Sequence, residues 1–170
     1  MRPLRITHAV TLAALLLAGC GDASGPSRSD AAGTYLLTGL TFDPQGLLPA
    51  IDVLARLEGD IPRLVLAPAG EAQLVFEDPA TGLITTTNGT YSTPEGGVRI
   101  DFGSDTAFRT VLLSRRMTFD ASTQGTLTFD GAAPDGVPRA RLIELAPEFA
   151  DEQLLDPVPG QLTTVFTLTP

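Results

Sequence analysis

The chain has 170 residues, of which 20 are acidic and 11 are basic, giving a formal charge of −9. Every basic residue is an arginine, and the single histidine (His8) and single cysteine (Cys20) lie near the N-terminus. The absence of lysine excludes Schiff-base and Walker-type lysine chemistry, and the acidic excess disfavours binding to nucleic acid, which depends on basic side chains.

Residues 1–19 have the three parts of a secretory signal peptide. Arg2 and Arg5 give the charged start, residues 9–18 form an apolar stretch, and Ala18 and Gly19 are the small residues expected before a cleavage site. The apolar stretch is too short for a permanent membrane helix, which needs about 20 residues. We therefore expect residues 1–19 to be removed.

The residues Leu17-Ala18-Gly19-Cys20 end this signal. They resemble the lipobox of bacterial lipoproteins at all of its positions. The resemblance implies cleavage before Cys20, lipidation of its thiol and acylation, with chains such as palmitate, of the new amino group. Because two or more acyl chains hold a protein durably on a membrane, we expect Cys20 to be the membrane anchor.

The residue after Cys20 bears on which membrane carries the protein. In lipoproteins of Gram-negative bacteria an Asp at this position is the usual inner-membrane retention signal, and here it is Gly21. The resemblance therefore implies a cell-envelope protein on the outer membrane, facing the periplasm. Residues 20–32 are rich in Gly, Ser, Ala and Asp, a composition that predicts a flexible tether between Cys20 and a single domain over 33–170.

Removal of residues 1–19 leaves nine arginines against 20 acidic residues, a balance of −11, and no histidine. Nucleophiles activated by His, and zinc sites built from Cys and His, are then excluded. The acid pairs Asp101/Asp105, Glu77/Asp78 and Asp151/Glu152 are interpreted as solvated turn residues, because Ca²⁺ requires six to eight oxygen ligands. We expect a non-catalytic protein without metal or cofactor.

From Gly33 onward, glycine and proline recur at short intervals and separate segments rich in Thr, Val, Leu, Ile and Phe, which is typical of all-β proteins. These segments predict an antiparallel up-and-down barrel of about eight to ten strands, with a two-sheet sandwich as the alternative. The predicted strands are residues 33–42, 63–67, 72–77, 83–91, 98–102, 116–120, 126–130, 139–145 and 162–168.

Two further segments are expected to lie outside the regular strands. Residues 51–57 fit either a strand or a helical turn after Pro49, and residues 147–155 predict one short helix before the final strand. This order of elements, together with the opening Gly33-Thr34-Tyr35, is similar to the lipocalin-like barrels. The resemblance implies a barrel that encloses room for side chains or one small ligand.

Candidate ligand-binding residues follow from strand alternation. Met117 and Phe119 share one predicted inward face, Arg115 precedes them on the same side, and Tyr35 lies in the first strand. An inward arginine at the mouth of a barrel can pair with a ligand carboxylate, although such an arginine also commonly satisfies a nearby Asp or carbonyl.

Two functions remain open at this point. The first is a binding module for a small apolar ligand. The second is a structural or protein-interaction lipoprotein whose barrel is filled by its own side chains. The volume of the inward phenyl rings decides between them, and six are predicted: Phe42, Phe76, Phe102, Phe119, Phe129 and Phe166.

Overall fold

The computed structural model describes residues 26–46, 48–57, 59–78, 81–103, 112–133 and 136–170. The predicted signal peptide, Cys20, Gly21 and Asp105 lie outside these ranges, so the predictions made for them stay predictions.

Within these ranges, nine β-strands form one antiparallel sheet. Strands β3 to β8 each pair with the next strand along the chain, and β1 pairs with both β3 and β9. The sheet therefore closes into an eight-stranded barrel, with β2 as an extra strand against β1. The strands are β1 (Gly33–Pro44), β2 (Ile51–Asp52), β3 (Arg63–Leu66), β4 (Glu71–Asp78), β5 (Leu83–Ser92), β6 (Gly97–Phe102), β7 (Arg116–Asp120), β8 (Thr126–Ala132) and β9 (Gly160–Leu168).

This closure confirms the predicted barrel and excludes the two-sheet alternative. The alternation that predicted the strands also sets which face is buried. On β6, Val98 and Ile100 are buried and Arg99 is exposed, and on β7 the buried Met117 and Phe119 flank the exposed Thr118. Because successive side chains of a strand point to opposite faces, these patterns place one face of each strand in the barrel interior.

The barrel is closed by β1 and β9, its longest pairing, which runs from Tyr35↔Leu168 to Pro44↔Gly160. A Cβ atom on Gly160 would lie 2.5 Å from the ring of Phe42 and from the carbonyl oxygen of Asp43. Only glycine allows the two backbones to approach this closely. The seam between β7 and β8 is the weakest, since its register consists of the single pair Asp120↔Thr128.

A short helix, α1 (Arg28–Ala31), packs against one end of the barrel. It begins with a capping box in which Ser27 and Asp30 exchange hydrogen bonds, and Ala31 is buried. The composition of residues 20–32 predicts a flexible tether, but in the structure Arg28–Ala31 forms a helical turn against the domain. The folded domain therefore begins before Gly33.

The predicted strand at 139–145 is wrong. These residues form a second helix, α2 (Arg139–Leu145), in which the buried Leu142 and Leu145 lie three residues apart, on one helical face. Arg141 and Glu144 form an ion pair across one turn at 2.9 Å. The pattern of apolar and polar residues fits both the period of a strand and the period of a helix. The burial of one helical face shows that this segment is a helix.

The helix predicted over 147–155 is correspondingly shorter. Only Pro147–Phe149 forms a 3₁₀ turn, which begins with proline at its first position. Among the described residues, the one helix of seven residues therefore lies just before this turn, near the C-terminus as predicted.

Residues 51–57 combine both predicted conformations. Ile51–Asp52 is β2, and Leu54–Arg56 is a 3₁₀ turn. The side chain of Asp52 accepts a hydrogen bond from the backbone of Ala55 at 3.1 Å, and Arg56 pairs with Glu148 at 2.7 Å. The turn is thereby tied to the segment around α2.

The two ends of the barrel differ. The end that holds α1 has short hairpin turns after β3, β5 and β7, whereas the opposite end carries the long connections 45–62, 103–115 and 133–159. A chain leading from Cys20 enters the barrel at the α1 end. No helix in the described ranges has the length and apolar character needed to cross a membrane.

Candidate functional site

The barrel interior holds three of the four predicted ligand-binding residues. Tyr35, Met117 and Phe119 are exposed by only 2%, 3% and 2%, respectively. A side chain that lines a ligand-sized void exposes much of its surface to that void, so these three are packed against protein atoms. The other deeply buried interior side chains are Leu37, Leu40, Phe42, Leu64, Leu66, Leu74, Phe76, Ile100, Phe102, Leu127, Leu162 and Phe166.

Phenyl rings fill the interior beside the β7–β8 seam. The ring of Phe119 lies edge-on to Phe166, with centroids 5.9 Å apart, and edge-on to Phe129, with centroids 6.3 Å apart. Edge-to-face pairs at such distances stabilise a core beyond their area of contact. Of the six rings predicted to point inward, five are buried, and Phe129 is half-buried at the seam.

One polar group lies unpaired inside the barrel. Thr164 of β9 is fully buried between Leu40 of β1 and Phe129 of β8 in the sheet register, and its hydroxyl has no hydrogen-bond partner. A buried hydroxyl without a partner carries a desolvation penalty of about 1–3 kcal/mol. This unpaired hydroxyl is not predictable from the sequence, because threonine occurs on both faces of these strands.

We expect Thr164→Val to raise the free energy of unfolding by about 1 kcal/mol, since valine keeps the shape and removes the unpaired hydroxyl. Urea unfolding measures this change. The matched control is Thr163→Val on the outer face, where the hydroxyl donates to Asp130 at 3.2 Å, and no gain is expected there. A loss of stability in Thr164→Val would mean that its hydroxyl has a partner in the native protein.

The two tyrosines fasten α1 to the barrel. The hydroxyl of Tyr35 donates to the carbonyl of Ala31 at 2.9 Å, and that of Tyr91 lies 2.8 Å from the carbonyl of Ala67 and 2.9 Å from that of Arg28. Burial raises the pKa of Tyr35, and the nearby Tyr91 raises it further. Tyr35 therefore anchors the chain entry, and its hydroxyl is not presented to a ligand.

The raised tyrosine pKa predicts how stability falls in alkali. The unfolded chain loses its phenolic proton at pH about 10, whereas the folded chain holds it to higher pH. The stabilising contribution of the buried tyrosine is therefore fully present below pH about 10, and it is lost as the pH rises above that value. We expect Tyr35→Phe to reduce this pH dependence, measured by denaturant unfolding between pH 8 and about 11. If stability fell with pH equally in Tyr35→Phe and the parent protein, the raised pKa of Tyr35 would not be the cause of the fall.

Arg115 does not join the interior residues. It precedes β7, about half of its side chain is exposed, and its Nε donates to the carbonyl of Phe102 at 2.9 Å. The predicted inward orientation on the face of Met117 is therefore wrong. Its Nε also lies 3.7 Å from Asp101, so Arg115 takes the carbonyl-and-carboxylate role that was the alternative.

The acidic residues do not converge. Among the described residues, no three His, Cys, Asp or Glu side chains gather closely enough to hold a metal ion. Asp101 instead accepts hydrogen bonds from Arg116, from its Nε at 2.8 Å, and these lower the pKa of its carboxyl.

A second candidate site lies outside the barrel, beside α1. It is a groove of about 420 Å³ on the outer surface of β5 and β6, and Arg28 and Arg99 both line it. The site is not visible in the sequence, because the two arginines are 71 positions apart and only the barrel register and the docking of α1 bring them together.

Comparisons with known proteins add no relative. No family model matches the chain, and neither a curated protein nor a solved structure is significantly similar to it. The closed barrel is thus shown by the structure of this chain itself.

Proposed function

We propose that the protein is a membrane-anchored lipoprotein of the cell envelope whose barrel is a packed, non-catalytic structural domain that meets a protein partner through its outer surface. Attachment rests on the resemblance of Leu17-Ala18-Gly19-Cys20 to a lipobox. The observation that carries the rest is the interior, where Tyr35, Met117 and Phe119 are at most 3% exposed.

A ligand would have to displace these side chains. The ring of Phe119 contacts two other rings, and each pair contributes about 0.5–1.5 kcal/mol beyond area burial. Opening a void of ligand size would also remove dispersion contacts from every side chain that lines it. A filled interior therefore favours the interaction role over the binding role.

The outer surface offers a place for a protein partner at the end opposite α1. In the described part of the chain, β6 pairs only with Gly89–Ser92 of β5, which leaves the first residues of β5 paired with β4 alone. Leu83 and Ile84 lie there and are 66% and 57% exposed. An unpaired strand edge with exposed apolar side chains is typical of sites where a partner adds a strand.

The binding module for a small apolar ligand is the second candidate. It is favoured by the unpaired hydroxyl of Thr164, which lies beside the half-buried Phe129 at the β7–β8 seam. Because this seam has a single register pair, it is the part of the wall where strand separation would open the interior most readily.

Titration with an uncharged apolar fluorophore, N-phenyl-1-naphthylamine, separates the two candidates. We expect the folded protein to show no saturable binding. As a control, a Phe119→Ala variant that still folds should bind benzene, which matches the cavity that the lost ring leaves, but not the larger fluorophore. Saturable binding to the parent protein, abolished when Thr164→Phe fills the interior beside Phe129, would support the binding module and overturn the packed barrel.

A further inference from the structure

The groove beside α1 brings two arginines together on a strongly acidic chain. It lies at the barrel end where the chain enters, and its wall is formed by α1, the β3–β4 turn and the outer face of β5 and β6. Arg28 and Arg99 line it, together with the hydroxyl-bearing Thr90 and Ser92.

The backbone of Arg28 is fixed by contacts on both sides of it. The capping box of α1 fixes the helical turn, and the hydroxyl of Tyr91 lies 2.9 Å from the carbonyl of Arg28. Its guanidinium lies over Gly70, where an added Cβ would be 3.2 Å from the guanidinium carbon. Gly70 has a φ of 104°, a conformation that favours glycine, so the turn leaves this space for the guanidinium.

Arg99 is held by the sheet. It pairs in register with Ser92, and Thr90 pairs with Asp101 in the next outward row. Two hydroxyls and one guanidinium therefore share the outer face of adjacent strands, next to the guanidinium of Arg28.

In the described ranges neither Arg28 nor Arg99 forms an ion pair, whereas Arg56, Arg116 and Arg141 each form one. The one carboxylate that lines the groove, Asp101, is already engaged by Arg116. The groove therefore holds two arginines against one carboxylate that Arg116 already pairs, with Glu71 opposite Thr90 in the β4–β5 register.

We propose that this groove binds a compact oxyanion of the phosphate class, with Arg28 and Arg99 as the charged donors and Thr90 and Ser92 as hydroxyl donors. Guanidinium groups donate paired hydrogen bonds that match the oxygens of phosphate. The ligand is either free phosphate or the phosphate of a lipid headgroup. The second source rests on the proposed membrane attachment, which places the α1 end toward the membrane.

The test uses the full chain in micelles of an uncharged detergent, so that phosphate binding does not depend on attachment to a bilayer. Inorganic phosphate is titrated at low salt and followed by the NMR signals of the arginine Nε–H groups. Arg28→Gln and Arg99→Gln should each weaken binding about tenfold or more, which corresponds to about 1.4 kcal/mol. Arg63→Gln, at an exposed arginine on β3 outside the groove, should bind like the parent.

A second titration adds phosphatidylglycerol to the micelles and separates the two sources. Shifts of Arg28 and Arg99 with phosphate identify a free oxyanion, and shifts with phosphatidylglycerol alone identify a headgroup. If neither compound shifts these signals, or if Arg28→Gln and Arg99→Gln bind as Arg63→Gln does, the proposal is overturned. Circular dichroism confirms that each variant is folded, and loss of membrane attachment leaves the phosphate result unchanged.

Discussion

Replacing Phe119 with alanine is expected to lower the free energy of unfolding by about 3–5 kcal/mol. The ring is 2% exposed and contacts Phe129 and Phe166, so its removal leaves a cavity that the closed barrel cannot easily fill by collapse. The change is measured by urea unfolding of the parent and the variant. A domain of this size is stable by about 5–15 kcal/mol, so the variant should be close to its folding limit.

The control is Thr118→Ala, one residue away on the same strand but exposed on the outer face. It should change stability by less than about 0.5–1 kcal/mol. If Phe119→Ala lost no more than the control, the ring would line an existing void, and the packed interior would be refuted.

Replacing Cys20 with serine is expected to move the protein from the membrane fraction to the soluble fraction of fractionated cells. Serine has no thiol to lipidate, and each buried methylene of an acyl chain contributes about 0.8 kcal/mol to membrane binding. The loss of attachment should therefore be nearly complete, detected by immunoblotting of both fractions.

Ser24→Ala, four residues later in the predicted tether, serves as the control and should remain with the membrane. A Cys20→Ser variant that stays in the membrane fraction would show that the lipobox resemblance does not explain attachment. The signal over 1–19 would then need another interpretation.

The barrel was predictable because each strand is amphipathic with a period of two. Val98, Ile100, Met117 and Phe119 are buried as the alternation required, and eight of the nine predicted strands form. The ninth, at 139–145, has apolar residues that satisfy a helical period as well. Local pattern could not settle that segment, because only the burial of Leu142 and Leu145 on one helical face distinguishes the helix from a strand.

The candidate sites were less predictable because they depend on contacts between distant residues. Strand alternation placed Met117 and Phe119 correctly, but it could not show that the rings fill the interior. It also could not show that Tyr35 bonds to Ala31. The groove forms only because α1 docks on the barrel. The Gly- and Ser-rich composition around α1 predicts a flexible tether, so this docking could not be expected from the sequence. The alternation near β7 did not extend to Arg115, which lies before the strand begins.

The most direct test is the native mass of the protein purified from its own membranes under non-denaturing conditions. A packed, lipid-anchored barrel predicts a polypeptide that begins at Cys20, carries the mass of its acyl chains, and retains no small apolar molecule. A stoichiometric apolar adduct that is released only on unfolding would contradict the packed interior. A polypeptide that still begins at Met1, without acyl chains, would contradict the anchor.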